Sequence, residues 1–374
     1  MNQTDVSTQA KLYLAGTGMV TPLGRNTATT FASVNAGISA YTVSDYYNKH
    51  FVPITVTAIP AGVFNETEID VSQGEAGRRA RINKMASIAV HEACSAHDIK
   101  KPVPLVIAMP ENDAENTSGL IQSLVKNCQP FISVPSSRSI HSGRASGMEA
   151  IAFAFDYLYN TPNDFILIGG SDSYLDDHRL SALIAQDRLL SESGTDGFAP
   201  GEAAGFLLLT RHPELALQRN GFVIAINPPG IAEEIGHLHS EAPYRGDGLD
   251  QAFKRALSYY HGKNIHSIFS SMNGENHWAK EYGVAFLRSR TAFQTSVKLE
   301  HPADCYGDLG SASAPVLIAL AAEHLFKHAR ANAHLVYSSS DTAKRGALVL
   351  EKIALIDLTG AANKNSKSLE REYI

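Results

Sequence analysis

The chain has 374 residues, with 32 Lys and Arg against 38 Asp and Glu, a formal net charge of -6, and 44% hydrophobic and 19% charged residues. That composition excludes a disordered chain, and a mildly acidic surface with scattered basic residues gives no reason to expect nucleic acid as a partner. At about 150 residues per unit the length suits two or three units, or one large α/β body.

Residues 1–10 are polar and are expected to be loose. They carry no basic segment followed by an apolar one, so no signal peptide is expected. Lys11–Gly16 is a short apolar run ending in glycine, and predicts a strand closed by a glycine turn. Leu105–Ala108, Phe165–Ile168 and Gly205–Leu209 are short, apolar and bounded by polar or turn residues, as in a sheet covered on both faces. Helical spacing links Met148, Ile151, Ala152, Phe155, Leu158 and Tyr159, and again Leu249, Ala252, Phe253, Ala256, Leu257 and Tyr260. Ala314–Leu325 is apolar nearly all round, with Pro315 suited to a first helical turn, and predicts a helix inside the protein. No apolar stretch approaches the roughly 20 residues that span a bilayer, so no membrane segment is expected. Strands and helices alternate through residues 11–210 and again through 221–355, which argues for layered α/β architecture. The polar residues 360–374 read as a flexible tail.

Several motifs are more specific. Gly16-Thr17-Gly18-Met19-Val20-Thr21-Pro22-Leu23-Gly24 is followed by Asn35-Ala36-Gly37-Ile38-Ser39. Further on stand Phe165-Ile166-Leu167-Ile168-Gly169-Gly170-Ser171-Asp172 and Asp196-Gly197-Phe198-Ala199-Pro200-Gly201-Glu202-Ala203-Ala204-Gly205. In this order they resemble the β-ketoacyl-acyl-carrier-protein synthases, whose patterns are G-x-G-x-V-T-P-x-G, L-x-x-G-x-S, A-G-G-x-E and D-G-F-x-x-G-E-G-A-G. The last match is the most specific, because Asp, Phe and Glu recur beside its glycines. The resemblance spans residues 12–350. It implies an α/β, thiolase-like, layered α/β/α/β/α fold made of two pseudo-repeated halves. It also implies a homodimer, paired edge to edge through the strand that ends near Gly169-Gly170.

The positions that carry condensation in that family are changed. Its nucleophilic cysteine lies in T-A-C-x-(S/T)-G-x-x-A-I; here Ser142-Gly143-Arg144-Ala145-Ser146-Gly147-Met148-Glu149-Ala150-Ile151 puts Arg144 in its place. A guanidinium offers only donors and cannot accept an acyl group. The first histidine, in N-x-H-G-T, aligns with Glu275 of Asn273-Gly274-Glu275. The second, which follows a lysine matched by Lys298, aligns with Gly307 or Asp308. The glycine-rich N-S-F-G-F-G-G becomes Ser338-Ser339-Ser340-Asp341-Thr342-Ala343-Lys344-Arg345-Gly346, without its phenylalanine. A carboxylate where a neutral imidazole should hold a carbonyl works against the enolate.

No catalytic residue is therefore assigned. The triad-equivalent positions are Arg144, Glu275 and Asp308, and the candidate substrate-binding residues are Arg144, Glu275 and Lys298. A buried arginine needs a partner, so Arg144 is expected to meet Glu275, with Asp308 as second candidate. The three cysteines, Cys94, Cys128 and Cys305, form no C-x-x-C pair; this points to no disulfide framework, no zinc and a reduced, cytoplasmic setting. Cys94 reads as a core filler and Cys128 as a loop residue, while Cys305 lies close to the altered histidine segment and has no base in sequence. His141 and Ser142 are adjacent and would point to opposite faces of a strand. His237 and His239 would share one face but lack a third ligand. Gly246-Asp247-Gly248-Leu249 reads as a turn and helix start.

The resulting expectation is a synthase-like protein without condensing activity, acting as a dimeric binding or accessory protein, as the chain-length partners of polyketide synthases do. Degenerate thiolase-like proteins beside bacterial toxin-secretion genes are another such role. Acyl-carrier protein, acyl-CoA or another protein are the expected partners, with no cofactor. The alternative is an acyltransferase or hydrolase acting on acyl thioesters through the remodelled pocket.

Overall fold

Leu12–Val20 (β1) is buried at every position, as its apolar run requires. It does not turn at Gly16. The two glycines lie inside the strand because a helix crosses it closely. A Cβ on Gly16 or Gly18 would stand 2.0 or 1.9 Å from the carbonyl oxygens of Ala93 and Ala89, and only glycine leaves room for that backbone. The computed structural model describes residues 10–358 except 65–74, 98, 100, 112–116, 193, 195 and 263–264. The tail expected over 360–374 lies outside the described residues.

After β1 come α1 (Thr27–Asn35), the hairpin strands β2 (Thr42–Tyr47) and β3 (Pro53–Val56), and α2 (Glu75–Cys94). β4 (Val103–Met109), α3 (Thr117–Asn127), β5 (Ile132–His141), α4 (Ser146–Asn160), β6 (Phe165–Ser173), α5 (Asp177–Ala185) and β7 (Glu202–Thr210) follow. The second run contains β8 (Phe222–Ile226), β9 (Gly230–Glu233), α6 (Asp247–Ser258), β10 (Ile265–Ser270) and α7 (Asn276–Arg288). It closes with β11 (Phe293–Glu300), α8 (Ala303–Tyr306), α9 (Ser313–Lys327), β12 (Ala333–Ser339) and β13 (Lys344–Ala354). Gly246, at φ +64°, precedes α6 and makes the expected turn into it.

Eleven strands form one mixed sheet in the order β11-β10-β12-β13-β8-β1-β7-β6-β4-β5, with β9 on β13. The same pattern stands on both sides of the β1–β8 seam. β4 is parallel to β5 and β6, and β10 is parallel to β11 and β12. β7 runs antiparallel to β1 and β6, and β13 antiparallel to β8 and β12. Helices α2 and α3 cover one outer face and α6 and α7 the other. Between the two sheet halves lie α4 and α9. A Cβ on Gly147 of α4 would stand 2.8 Å from Ala314 and Pro315 of α9, so glycine sets how closely these helices approach. The central place of α9 explains its apolar circumference. Val316, Leu317, Ile318, Leu320 and Leu325 are all at most 2% exposed, each contributing roughly 1.5–3 kcal/mol relative to exposure.

One expectation fails on topology. Phe165–Ile168 is no dimer edge, because β6 is hydrogen-bonded by β4 on one side and β7 on the other. A continuous apolar run marks a strand covered on both faces, and says nothing of whether it lies at a margin. The margins of the sheet are β5 and β11. His237 and His239 also depart from expectation. They follow β9 in a turn, where the His239 N–H donates to His237 Nδ1 at 3.3 Å. Among the described residues no group of ligating side chains could hold a metal ion, and no helix is long and apolar enough to cross a membrane.

Candidate functional site

The site begins where β5 runs into α4. Gly143 adopts φ +62° against the side chain of Glu111, and a single tight turn over Gly143–Ala145 leads into the helix at Ser146. Arg144 sits in that turn and is 3% exposed. Its Nη1 donates to Asp308 Oδ2 and its Nη2 to Asp341 Oδ1, each at 2.5 Å, and its Nε donates to the Ser339 carbonyl at 3.0 Å. The guanidinium lies 4.4 Å from the centre of the Trp278 ring, within cation–π range.

Asp308 is held by the segment that carried the most specific sequence match. The Asp308 N–H donates to the Ala199 carbonyl and the Gly201 N–H to the Asp308 carbonyl, both at 2.9 Å. A Cβ on Gly201 would stand 3.0 Å from that Asp308 oxygen. The neighbouring Glu202 accepts from Arg81 Nε at 2.7 Å, the Ile59 N–H at 2.8 Å and Ser173 Oγ at 3.0 Å. The loop is thus a clamp between β7, the segment after β3 and the segment after α8.

The expected Arg144–Glu275 pair does not form. Glu275, just before α7, faces a different arginine: Arg188 Nε donates to Oε1 at 2.7 Å and Nη2 to Oε2 at 2.8 Å. Two-pronged pairing of this kind matches guanidinium geometry. Arg188 Nη1 donates in turn to Asp341 Oδ2 at 2.6 Å, so Asp341 bridges both arginines. Asn273 Nδ2 donates to Asp308 Oδ2 at 2.8 Å and to Glu275 Oε2 at 3.0 Å, and Trp278 Nε1 donates to Glu275 Oε2 at 3.0 Å. The three positions named from the sequence therefore converge, with Arg144 bonded directly to Asp308 and linked to Glu275 through Asp308 and Asn273, and through Asp341 and Arg188. Sequence reasoning missed Arg188, and it named Asp341 only as part of a changed loop. Charge balance was the available signal: one arginine facing Glu275 and Asp308 in a buried place calls for a second cation.

Lys298 is not part of this cluster. It lies on β11 opposite Ser267 of β10, and its charge bears on His266 and His324.

Electrostatics lock the network in its charged form. Burial works most strongly against the charge on Arg144, yet Asp308 and Asp341 outweigh it and raise its pKa. Burial would push Asp341 up, but Arg144 and Arg188 hold it at about 2. Glu275 is likewise lowered, because Arg188 overcomes the effect of its burial. Such carboxylates make poor bases near neutral pH. Next to them Arg345 is fully buried, with Nε donating to Glu281 Oε1 at 2.5 Å.

None of the three cysteines has the setting of a reactive thiolate. All three cysteines are buried. Burial pushes Cys94 up to about 12 and Cys128 up to about 11, and burial with the Asp304 charge raises Cys305. The reactive thiolate needs the opposite shift. His141 Nε2 pairs with Ser139 Oγ at 2.9 Å, not with Ser142.

Beside Arg144 opens a cavity of about 520 Å³. Arg144, Arg188 and Asp341 line one side, and Ala182 and Leu183 of α5 another. Asp172 stands on the lining, where Arg78 Nη2 reaches Oδ1 at 2.8 Å, Arg179 Nη1 reaches it at 2.9 Å and the Ser311 N–H reaches Oδ2 at 3.0 Å. A smaller apolar pocket of about 190 Å³ lies between α2 and α3 and shares Arg78 and Pro110 with the first.

No family model matches this chain, and no curated protein matches it. Solved structures do. The ishigamide ketosynthase/chain length factor superposes with a TM-score of 0.70 at 16% identity, covering 92% of this chain and 99% of its own. A type II PKS ketosynthase, solved with its acyl-carrier protein and bound to the hexaketide, gives 0.73 at 14% identity over 92% of this chain and 100% of its own. The ketosynthase ApeO in complex with its chain length factor ApeC, from Xenorhabdus doucetiae, gives 0.68 at 13% identity over 94% and 100%. Identities this low speak for the fold alone. The chain is built on the thiolase-like ketosynthase fold, with an arginine-centred charge network at the turn into α4.

Proposed function

We propose that this chain is a non-condensing ketosynthase-like protein that works as a dimeric binding or accessory partner. The observation that carries the reading is Arg144, which fills the nucleophile turn and has three acceptors already bonded to its guanidinium. No acyl acceptor stands in that turn, and the two carboxylates nearest it are committed to arginines. Two of the matched structures hold a ketosynthase together with a chain length factor, which fits the idea of a partner without its own nucleophile. The margin strand β5 leads directly into the Arg144 turn. A second subunit adding its strand there would cover an open edge and brace the network.

Native mass spectrometry of the purified chain, alone and with holo-acyl-carrier protein, tests this. The expected spectrum contains a dimer and a dimer carrying one or two carrier proteins, with no covalent transfer of the acyl group. A monomer at micromolar concentration that ignores the carrier would contradict the partner role.

A further inference from the structure

Four histidines lie together where the last turn of α9 meets the starts of β10 and β12. His324 belongs to that turn and His328 caps it, while His266 stands on β10 and His334 on β12. The His324 and His328 rings stack with centres 3.9 Å apart, and His266 lies 5.9 Å from His324 and 5.7 Å from His334. Phe269 floors the group, 5.9 Å from His324 and 5.2 Å from His334. His334 is fully buried and His328 is exposed. The hydrogen bonding admits few protons. His324 Nδ1 and His334 Nε2 face each other at 2.9 Å, so one carries hydrogen and the other must be bare. A proton on the bare nitrogen sets two N–H groups head to head. His334 Nδ1 has no hydrogen-bond partner, so a protonated His334 would bury a donor with nothing to accept it.

The surrounding charges also oppose a cation. Lys298 of β11 and Lys352 of β13 work against a charge on His266 and on His324, and Lys352 against one on His334, while Glu300 of β11 favours one on His266. Glu323 and Lys327 of α9 are turned elsewhere, to Arg219 at 2.7 Å and over the Phe31 ring. The Lys352 ammonium already donates to the carbonyls of Leu325 at 3.0 Å and His328 at 2.9 Å, so the negative end of α9 has its cation. Burial above all, with the neighbouring charges, pushes His324 down to about 4 and His334 well down, and burial with Lys298 lowers His266.

We propose that this cluster is an acid-released fastening: its neutral rings hold the end of α9 onto β10 and β12, and their protonation frees that end while the rest of the core stays packed. An unfolded segment takes up protons from about 6.5, the ordinary histidine value, and the folded cluster resists them until about 4. The stability that it holds is therefore complete above 6.5 and is lost as pH falls between the two.

Hydrogen–deuterium exchange of the full chain at pH 7 and pH 5, corrected for the intrinsic effect of pH on exchange, tests this. Peptides over 323–336 should lose about tenfold or more in protection at pH 5, while those over α4 keep theirs within about twofold. Carboxylates elsewhere titrate in the same range, so His324→Gln and His266→Gln are compared with the wild type. Each removes a titrating ring at a half-buried position, and each should shrink the loss over 323–336 to about threefold or less. The second variant decides if the first does not fold. Unchanged protection over 323–336 at pH 5, an equal loss in α4, or the wild-type loss persisting in either folded variant would overturn the proposal.

Discussion

Arg144→Ala should lower the unfolding free energy by about 3–5 kcal/mol, the range for removing one partner of a buried ion pair. The loss comes from what is left behind. Asp308 is 3% exposed and would keep only its neutral donors, Asp341 would lose one of its two arginines, and the Ser339 carbonyl would lose its guanidinium donor. Lysine should recover little of this, because a single ammonium cannot reach three acceptors as a planar fork does. Lys49→Ala is the control: Lys49 and Asp187 form an ion pair with side chains 48% and 54% exposed, and such pairs contribute about 0–1 kcal/mol. Urea unfolding of the three variants measures the contrast. Arg144→Ala no more costly than Lys49→Ala would mean that the network holds nothing together.

Arg144→Cys should not create a condensing enzyme. The new thiol would stand beside Asp308 and Asp341, and nearby negative charge raises a thiol pKa. Glu275 offers no imidazole to hold a thioester carbonyl, and it is tied to Arg188 by two hydrogen bonds. Carbon dioxide release from malonyl thioester in the presence of an acyl thioester should remain at least about a thousandfold below that of a ketosynthase assayed in parallel, given how steeply rate falls when a unit of mutually dependent groups is broken. Recovery of turnover by this one change would show that the surrounding site is still catalytic.

The sequence was a good guide wherever a local pattern had a single physical reading. The apolar strands lie in β1, β4, β6 and β7, and the all-apolar segment is the buried α9. Arg144 stood out in the sequence because the residues on both sides of it keep the resemblance to the family pattern. What escaped was long-range. Arg188 and Arg144 share a carboxylate 197 residues from Arg144, and no spacing rule connects them. Gly16 and Gly18 looked like turn glycines because the helix that needs their missing side chains lies far along the chain. β6 was expected at the dimer edge from the family resemblance, and its apolar run could not test that, because burial on two faces and pairing on two sides are different properties. Lys298 was placed by a motif resemblance alone, and the fold sets it on β11 against β10.

On this reading the turn into α4 holds a structural charge network and no acyl acceptor. Intact-mass spectrometry after incubation with malonyl and acyl thioesters, of coenzyme A and of the carrier protein, tests it most directly. The protein mass should be unchanged in every mixture. A stable gain equal to the acyl group, whether at Cys305 or at any other residue, would contradict it.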